Sequence, residues 1–400
     1  MVNNSDIYKY YLYTILLSPF LGYFSGKGII AYGPIIIISL IIIINELFMQ
    51  KPMKLKDWGA FIVFIPYTIW ASYYYVSNPL NGNLLTTNLL AIISLPFIIL
   101  SLLRLKLYSP NYNYDRLIYK IILFFLIAEF LICLGQISTY LTSFGLPINE
   151  IYRDYFMVTG TFFNSNDLGA VVLLISFIFT TLEKNIQTYL KFFIWILIFS
   201  LLIISGSRSA LLVTSILFII TRGFNIKNLL FYVTLSIICL TIYQLLFSNI
   251  ENNIISRFIH RIDSLVNILT DGINNDNSAN LRLNSYIHFL SQISNLEFGS
   301  GELYNYYQFS DNTHFNSDLM FQNPHALIVE IGYWLGWPGL LFFTAGLIYL
   351  LRYSEKKLWL IIVVTIATII PSSILGNLIC FLFIFICFFR KISPPQQFIV

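Results

Sequence analysis

The chain has 400 residues, of which 57% are hydrophobic and only 10% are charged, and its mean hydropathy is +0.75. A soluble domain carries roughly 25% charged residues, so this composition excludes a soluble globular protein and predicts an all-α polytopic membrane protein. The net charge of +4 adds little, because the distribution of charge across a membrane matters more than its sum.

Apolar stretches of about 17–25 residues are long enough to span a bilayer as helices, and the chain holds about 12 candidates. They divide the chain into transmembrane helices 1–9 over residues 1–247, a hydrophilic segment over 248–323, and transmembrane helices 10–12 over 324–400. The pairs at 188–221 and 358–389 also fit merged or re-entrant segments. The predicted spans are 10–24, 28–49, 58–76, 84–103, 117–140, 166–182, 188–205, 209–221, 228–247, 324–351, 358–375 and 377–389.

Most lysines and arginines fall in the chain ends and loops on one side of these spans. Because basic residues concentrate in cytoplasmic loops, this distribution predicts that both termini are cytoplasmic. The segment 248–323 then forms one large extracytoplasmic loop, in which eight acidic residues stand against three arginines. The arginines predicted on the outer side, among them Arg153, Arg208 and Arg282, run against this rule and need another role.

The extracytoplasmic loop contains two helical patterns. The stretch IISRFIHRIDSLVNIL (254–269) has apolar residues near helical spacing, which predicts an amphipathic helix. The stretch DGINNDNSAN (271–280) has the composition of a loop. The following stretch LRLNSYIHFLSQI (281–293) predicts a second helix, with Arg282 near its start.

The stretch SGSRSALL puts Arg208 into an otherwise apolar run, with small residues on both sides. An arginine at the centre of a span costs roughly 2.5–3.5 kcal/mol on insertion scales. We therefore predict that a span begins at Arg208 on the outer face. Its side chain either snorkels to the outer headgroups or binds an anion.

The stretch NPHALIVEIGYWLGWPG predicts a helix that re-enters the membrane after the loop. Asn323 suits the N-cap and Pro324 suits the first turn. The positive end of the helix dipole favours a neutral imidazole at His325, and such a ring can act as a general base. Two arginines beside it, Arg208 and Arg282, would suit a diphosphate. Alternatively, His325 caps the helix or fills a wet cavity, and Arg282 lies on a solvated helix face.

Other polar or small residues have simpler interpretations. Asn166 or Asp167, in TGTFFNSNDLGA, suits the N-cap of the following span, and Gly332 with Gly336 forms a G-x-x-x-G typical of close helix packing. Glu129 is a lone carboxylate in the fifth span, a position that suggests function, although the sequence shows no partner for it. The histidines have no metal-ligand spacing, so we expect no metal.

The motifs FFNSNDLGA, SGSRSALL, FGSGELY and PHALIVEIGYWLGWPG, in this order, resemble those of the O-antigen polymerase and ligase superfamily. The matching stretch covers about residues 159–339. The resemblance implies a GT-C-like fold in the bacterial inner membrane and metal-independent, cofactor-free, inverting glycosyl transfer. The implied substrates are an undecaprenyl-diphosphate-linked glycan donor and a glycan acceptor.

The resemblance also implies roles for individual residues. It assigns diphosphate binding to Arg208 and Arg282 and the role of general base to His325. Family members often have His-Asn where this chain has His325-Ala326, so no role is transferred to an asparagine there. The candidate supporting residues are Asn166, Ser207, Glu330 and Arg153.

Polymerase and ligase share this chemistry and differ in the acceptor, which is another lipid-linked glycan or the lipid A core. We favour the polymerase because the net-acidic loop shows no basic patch for a phosphorylated core. A lipid-linked glycan flippase would need charges along a central cavity, whereas charges here avoid the span centres apart from Glu129. The expected partners are the bilayer, the two glycan substrates and a chain-length regulator, with no nucleic acid.

Overall fold

The computed structural model describes twelve segments of the chain, and every regular element in them is helical. The predicted ninth span (228–247), the predicted amphipathic helix (254–269) and the candidates Arg153 and His325 lie outside these segments. The described residues are 4–48, 53–77, 85–109, 113–141, 145–148, 158–162, 164–182, 186–222, 277–299, 326–354, 357–370 and 377–389.

The described segments contain thirteen α-helices and two short 3-10 turns. The helices are α1 (Asn4–Ser25), α2 (Gly28–Leu47), α3 (Leu55–Ile62), α4 (Ile65–Ser77), α5 (Leu85–Leu107), α6 (Tyr114–Leu141), α7 (Ser165–Leu182), α8 (Thr188–Ser205), α9 (Arg208–Arg222), α10 (Asn277–Ser291), α11 (Leu327–Leu350), α12 (Lys357–Ile369) and α13 (Leu378–Phe388).

Six helical stretches within the described residues are long and apolar enough to cross a membrane. Three shorter apolar helices, α9, α12 and α13, accompany them. This is the helix content of a polytopic membrane protein, as the composition predicts. The six stretches are Gly28–Leu47, Leu89–Leu107, Tyr114–Tyr140, Ser165–Leu182, Thr188–Ser205 and Leu327–Tyr353.

The burial patterns of α2 and α7 show two different environments for apolar helices. In α2 only Ala31, Ile35, Ser39 and Ile42 are buried, and their three- and four-residue spacing marks a single packed face. The other faces of α2 expose large aliphatic side chains, as expected for a helix surrounded by lipid. Almost every side chain of α7 is buried instead, so α7 is a core helix of its unit.

The first compact unit comprises residues 1–117, 280–361 and 372–391. In it α1 packs against α2 and α5, α4 packs against α5 and α11, and α13 packs against α5. A buried ion pair between Arg104 and Glu46 ties the ends of α5 and α2 together. Tyr8 of α1 donates a hydrogen bond of 2.5 Å to the same carboxylate. The helices α1, α2 and α5 therefore meet at the Glu46 carboxylate, whose charge Arg104 neutralises.

The second compact unit comprises residues 118–279, 362–371 and 392–400. Here α7 packs against both α8 and α9. The rings of Trp195 and Phe218 lie 4.4 Å apart between α8 and α9. The buried hydroxyls of Ser176 and Thr214 lie 3.4 Å apart between α7 and α9. Aromatic packing and a polar pair therefore hold the three helices together.

Three sequence-based boundaries differ from the structure. The predicted span at 58–76 is interrupted after Ile62, because Pro66 has no N–H to donate to the Ile62 carbonyl and its ring would clash with it, whereas proline suits the first turn of α4. The predicted loop at 271–280 is wrong at its end, since α10 already begins at Asn277, and the residue before it in the sequence, Asp276, is of a type favoured at N-caps.

The third difference concerns the helix after the large loop. The predicted start at Pro324 is wrong, because Ala326 is extended (φ −150°, ψ 123°) and α11 begins at Leu327 without a side-chain cap. Of the two ambiguous pairs, 188–221 forms α8 and α9, and 358–389 forms α12 and α13. Neither pair is one continuous helix.

Candidate functional site

Arg208 is the first residue of α9, which confirms the prediction that a helix begins there. The preceding helix ends because Gly206 adopts the left-handed conformation (φ 63°) and donates its N–H to the carbonyls of Leu202 and Ile203. The carbonyl of Ser207 then accepts the first helical bond of α9, from the Leu211 N–H at 3.0 Å. Arg208, which is half-buried, thus stands at a sharp break between two apolar helices.

Ser207 fixes this break against α7. Its side chain is buried and fills the space beside Gly169, where an added Cβ would overlap it, and Ala210 touches the same spot. Glycine at position 169 is therefore required for this packing. Ser207, which directly precedes Arg208, is thereby packed against α7 one turn from its first residue, Ser165.

The start of α7 is capped by Asn164, whose side-chain oxygen accepts a hydrogen bond of 2.9 Å from the Asn166 N–H. The prediction that Asn166 or Asp167 provides the cap is therefore wrong by two or three residues. The difference arises because Ser165 already has helical geometry, so the residue before it occupies the capping position. Asn166 is half-buried in the first turn, and Asp167 is buried beside it.

Glu129 has a partner that the sequence did not reveal. Its carboxylate, fully buried in α6, accepts a hydrogen bond of 3.0 Å from the Thr161 N–H and a second from the Thr161 hydroxyl. Gly160, beside this contact, is left-handed (φ 62°), and a Cβ there would meet the Glu129 carboxylate. A buried acceptor thus holds the segment that leads into α7.

Gln136 holds the same segment from two turns further along α6. Its side-chain oxygen accepts from the N–H groups of Thr159 (3.1 Å) and Gly160 (2.9 Å), and its NH2 group donates to the Gly160 carbonyl at 2.8 Å. Gln136 and Glu129 together satisfy the N–H groups of residues 159–161 and the Gly160 carbonyl within the apolar interior. We call these two side chains the α6 clamp.

We expect Glu129→Ala to speed amide hydrogen exchange at Thr161 by roughly 5- to 150-fold, because a buried donor left unsatisfied costs about 1–3 kcal/mol. Glu129→Gln should exchange at nearly the wild-type rate, since its amide can accept from the Thr161 N–H and donate to the hydroxyl. Hydrogen–deuterium exchange with mass spectrometry over 158–168 measures both. Ser176→Ala is the matched control in the same unit. Unchanged exchange in Glu129→Ala would disprove the clamp.

In the first unit Arg282 and Glu330 act on a common tyrosine. Burial raises the pKa of Tyr286 on α10, while the Arg282 guanidinium lowers it and the Glu330 carboxylate raises it. Glu330 is buried in the first turn of α11 and also lies within electrostatic range of the buried Tyr67 on α4. The structure therefore brings Arg282 and Glu330 into one polar cluster with two tyrosines.

Two side chains of α10 fasten this cluster to α11. His288 Nδ1 lies 2.6 Å from the Tyr333 hydroxyl, and burial lowers the pKa of His288, which favours its neutral ring. The ring of Phe289 occupies the space over Gly332, where a Cβ would collide with it. The predicted packing role of Gly332 is confirmed, and its partner is an aromatic ring of α10.

The second glycine of the G-x-x-x-G, Gly336, breaks α11 instead of packing a helix. It has a non-helical backbone (φ 63°, ψ −159°) and lies against the backbone of Gly299. The Trp337 N–H donates to the Glu297 carbonyl at 2.9 Å, and the indole N–H of Trp70 donates to the Leu335 carbonyl at 3.0 Å. Glu297 and Gly299, which precede the large loop's undescribed part, therefore pack against the break in α11.

The site candidates therefore fall into two sets. In the second unit Ser207 and Arg208 stand at the α8–α9 break, which packs near the first turns of α7 where Asn166 lies. In the first unit Arg282 and Glu330 share one polar cluster. His325 and Arg153 lie outside the described residues.

Residues 192–344 match a family model described as O-antigen ligase. The match supports the O-antigen polymerase and ligase superfamily for this part of the chain. The matched segment runs from α8 to α11 and contains the break at Arg208, α10 with Arg282, and the break at Gly336. A comparison with curated proteins found no match.

The superfamily consists of glycosyltransferase-type enzymes with lipid-linked glycan substrates. Together with the apolar helices, the match supports a multi-pass protein of the bacterial inner membrane and, broadly, O-antigen polymerase or ligase activity. Arg208 at the start of α9 and Arg282 within α10 are chemically suited to such substrates, because guanidinium groups bind phosphate oxygens through paired hydrogen bonds.

Proposed function

We propose that this protein is a polysaccharide polymerase with a GT-C-like fold. It joins undecaprenyl-diphosphate-linked oligosaccharide repeat units at the outer face of the inner membrane. The observation that supports this most strongly is the family match over 192–344, which includes Arg208 at the first turn of α9. An arginine bordered by apolar helices is costly unless it serves a ligand or a partner, and a lipid diphosphate supplies such a ligand.

In the proposed reaction the anomeric carbon–oxygen bond to the donor diphosphate breaks and a bond to the acceptor hydroxyl oxygen forms. Arg208 and Arg282 compensate the charge that develops on the departing undecaprenyl diphosphate. His325 takes the proton of the acceptor hydroxyl as general base. Attack opposite the leaving group inverts the anomeric carbon, and no metal is required.

Glu330, Asn166, Ser207 and Arg153 have supporting roles in this proposal. Glu330 orients Arg282 through the polar cluster they share with Tyr286. Ser207 fixes the helix break that presents Arg208. For Asn166 and Arg153 we propose contacts to the donor glycan or its diphosphate.

Ligation to the lipid A core is the second candidate function, because the matching family model is described as O-antigen ligase. Both reactions use the same donor and the same leaving group. The acceptor alone distinguishes them. For either reaction we propose cytoplasmic termini and an extracytoplasmic loop at 248–323, and for the polymerase a chain-length regulator as protein partner.

Purified protein incubated with lipid-linked repeat units in the presence of EDTA tests the proposal. We expect a ladder of longer lipid-linked glycans from repeat units alone, because each repeat unit can serve as both donor and acceptor. Product that appears only after lipid A core is added would identify a ligase instead. The proposed reaction is wrong if folded protein forms no product with repeat units or with lipid A core as the acceptor. It is also wrong if product forms only after a divalent metal is restored. Gel electrophoresis of the glycans provides the measurement.

A further inference from the structure

A pocket of about 400 Å³ lies at one end of the first unit, where α3 begins and where α5 and α11 end. The pocket and the polar cluster of Arg282 lie at opposite ends of α11. Glu330 stands in the first turn of α11, whereas Arg352, which lines the pocket, follows the last turn of the same helix. The proposed glycosyl transfer makes no use of this pocket.

Among the described residues one carboxylate lines the pocket, and it already accepts two hydrogen bonds. Asp57 is buried and accepts a hydrogen bond of 2.6 Å from the Tyr108 hydroxyl at one oxygen. Its other oxygen accepts a bond of 2.9 Å from the Tyr353 hydroxyl. Because both oxygens serve tyrosines of the pocket wall, Asp57 organises the wall and is not aimed at the basic groups around it.

Three cationic side chains line the same pocket: Lys54, Lys56 and Arg352. Arg352 is held in place, because its Nη2 donates to the Lys56 carbonyl and to the Tyr349 and Tyr353 hydroxyls, and its guanidinium lies 3.5 Å from the ring centre of Tyr349. Among the described residues, its other nitrogens and the two lysine ammonium groups make no hydrogen bond. The pocket therefore carries a net positive charge and unused donors.

The chemistry of these donors matches a phosphate group. The Nη2 group of Arg352 is already occupied, so its Nε and Nη1 groups can each donate a single hydrogen bond to a phosphate oxygen, and two flanking ammonium groups add donors and charge. Leu55 (85% exposed) and Leu107 (39% exposed) add apolar surface next to the cations. Basic pockets between transmembrane helices characteristically bind lipid headgroups in this way.

We propose that this pocket binds the phosphate headgroup of an anionic membrane lipid. The lipid source is favoured over a free anion because the pocket combines cations with exposed leucines at the ends of membrane-spanning helices. The positive-inside distribution of lysine and arginine puts this end at the cytoplasmic leaflet. The proposal is independent of which glycosyl transfer the enzyme performs.

Native mass spectrometry of the purified full-length protein with phosphatidylglycerol or phosphatidylcholine tests this site. We expect phosphatidylglycerol to be retained preferentially. The double variant Lys54→Ala/Lys56→Ala should weaken its retention by roughly 30-fold, since each basic residue near an anionic lipid contributes about a factor of five. The control Lys120→Ala/Lys191→Ala removes the same charge outside the pocket and should retain phosphatidylglycerol like the wild type.

A further variant, Arg352→Ala, removes the third cation of the pocket, so we expect it also to weaken phosphatidylglycerol retention. The thermal unfolding midpoint of each variant verifies that the fold is intact, as expected for exposed lysines. Equal retention of the two lipids would overturn the proposal, as would wild-type retention by the Lys54/Lys56 variant. Displacement of phosphatidylglycerol by excess inorganic phosphate would identify a free anion as the ligand and overturn the lipid assignment.

Discussion

Replacing Arg208 by alanine should lower the kcat/KM of glycosyl transfer by about 10³-fold, the upper range for loss of one preorganised group that stabilises developing charge. Arg208→Lys should restore less than about a tenth of the kcat/KM that Arg208→Ala loses, because an ammonium group cannot form the paired hydrogen bonds of a guanidinium. Initial rates of polymer formation from purified lipid-linked repeat units measure both.

The same helix offers a matched control for this experiment. Arg222 is the last residue of α9, so Arg222→Lys makes the identical change at the opposite end and should keep nearly full activity. Full activity in Arg208→Lys would show that position 208 needs only a positive charge. Full activity in Arg208→Ala would remove the diphosphate role altogether and leave an anchoring role at the headgroups.

Replacing His325 by alanine should reduce the turnover number by roughly 10²–10⁴-fold, the usual contribution of a general base. Binding of the lipid-linked donor should survive, since the arginines hold the diphosphate. His325→Arg separates the base from a phosphate-binding cation, because arginine keeps a positive charge and cannot accept the proton. We therefore expect His325→Arg to be as inactive as the alanine variant.

Turnover by His325→Arg at a substantial fraction of the wild-type rate would contradict the base assignment and favour a cationic clamp. The pH dependence gives an independent reading. A base must be neutral, so activity should fall on acidification, whereas a cationic clamp would lose activity as the pH rises. His314→Ala removes another histidine of the predicted loop and should leave the rate and the pH profile unchanged.

Sequence alone predicted those features of the site that depend on neighbouring residues. The helix start at Arg208 followed from SGSRSALL, because an arginine is costly at the centre of an apolar span and is therefore expected at its end. The all-helical membrane fold followed from apolar runs that are long enough to span a bilayer. Both signals are local, and packing did not override them.

Contacts between distant parts of the chain could not be predicted from the sequence. The partner of Glu129 is Thr161, 32 residues away, and no spacing rule links the two. One signal was available, since Glu129 and Gln136 are seven residues apart and therefore share a face of α6. The cluster of Glu330, Tyr67 and Tyr286 likewise depends on three helices that meet only in the folded chain.

The break in α11 has a consequence for the order in which the protein is made. Irregular backbone inside a membrane must be satisfied by protein groups, and the groups that do so at this break are the Trp70 indole and the Glu297 carbonyl. Both precede Gly336 in the chain, so the ribosome has already synthesised them when the break emerges. This helix can therefore complete its hydrogen bonds during insertion, before α12 and α13 exist.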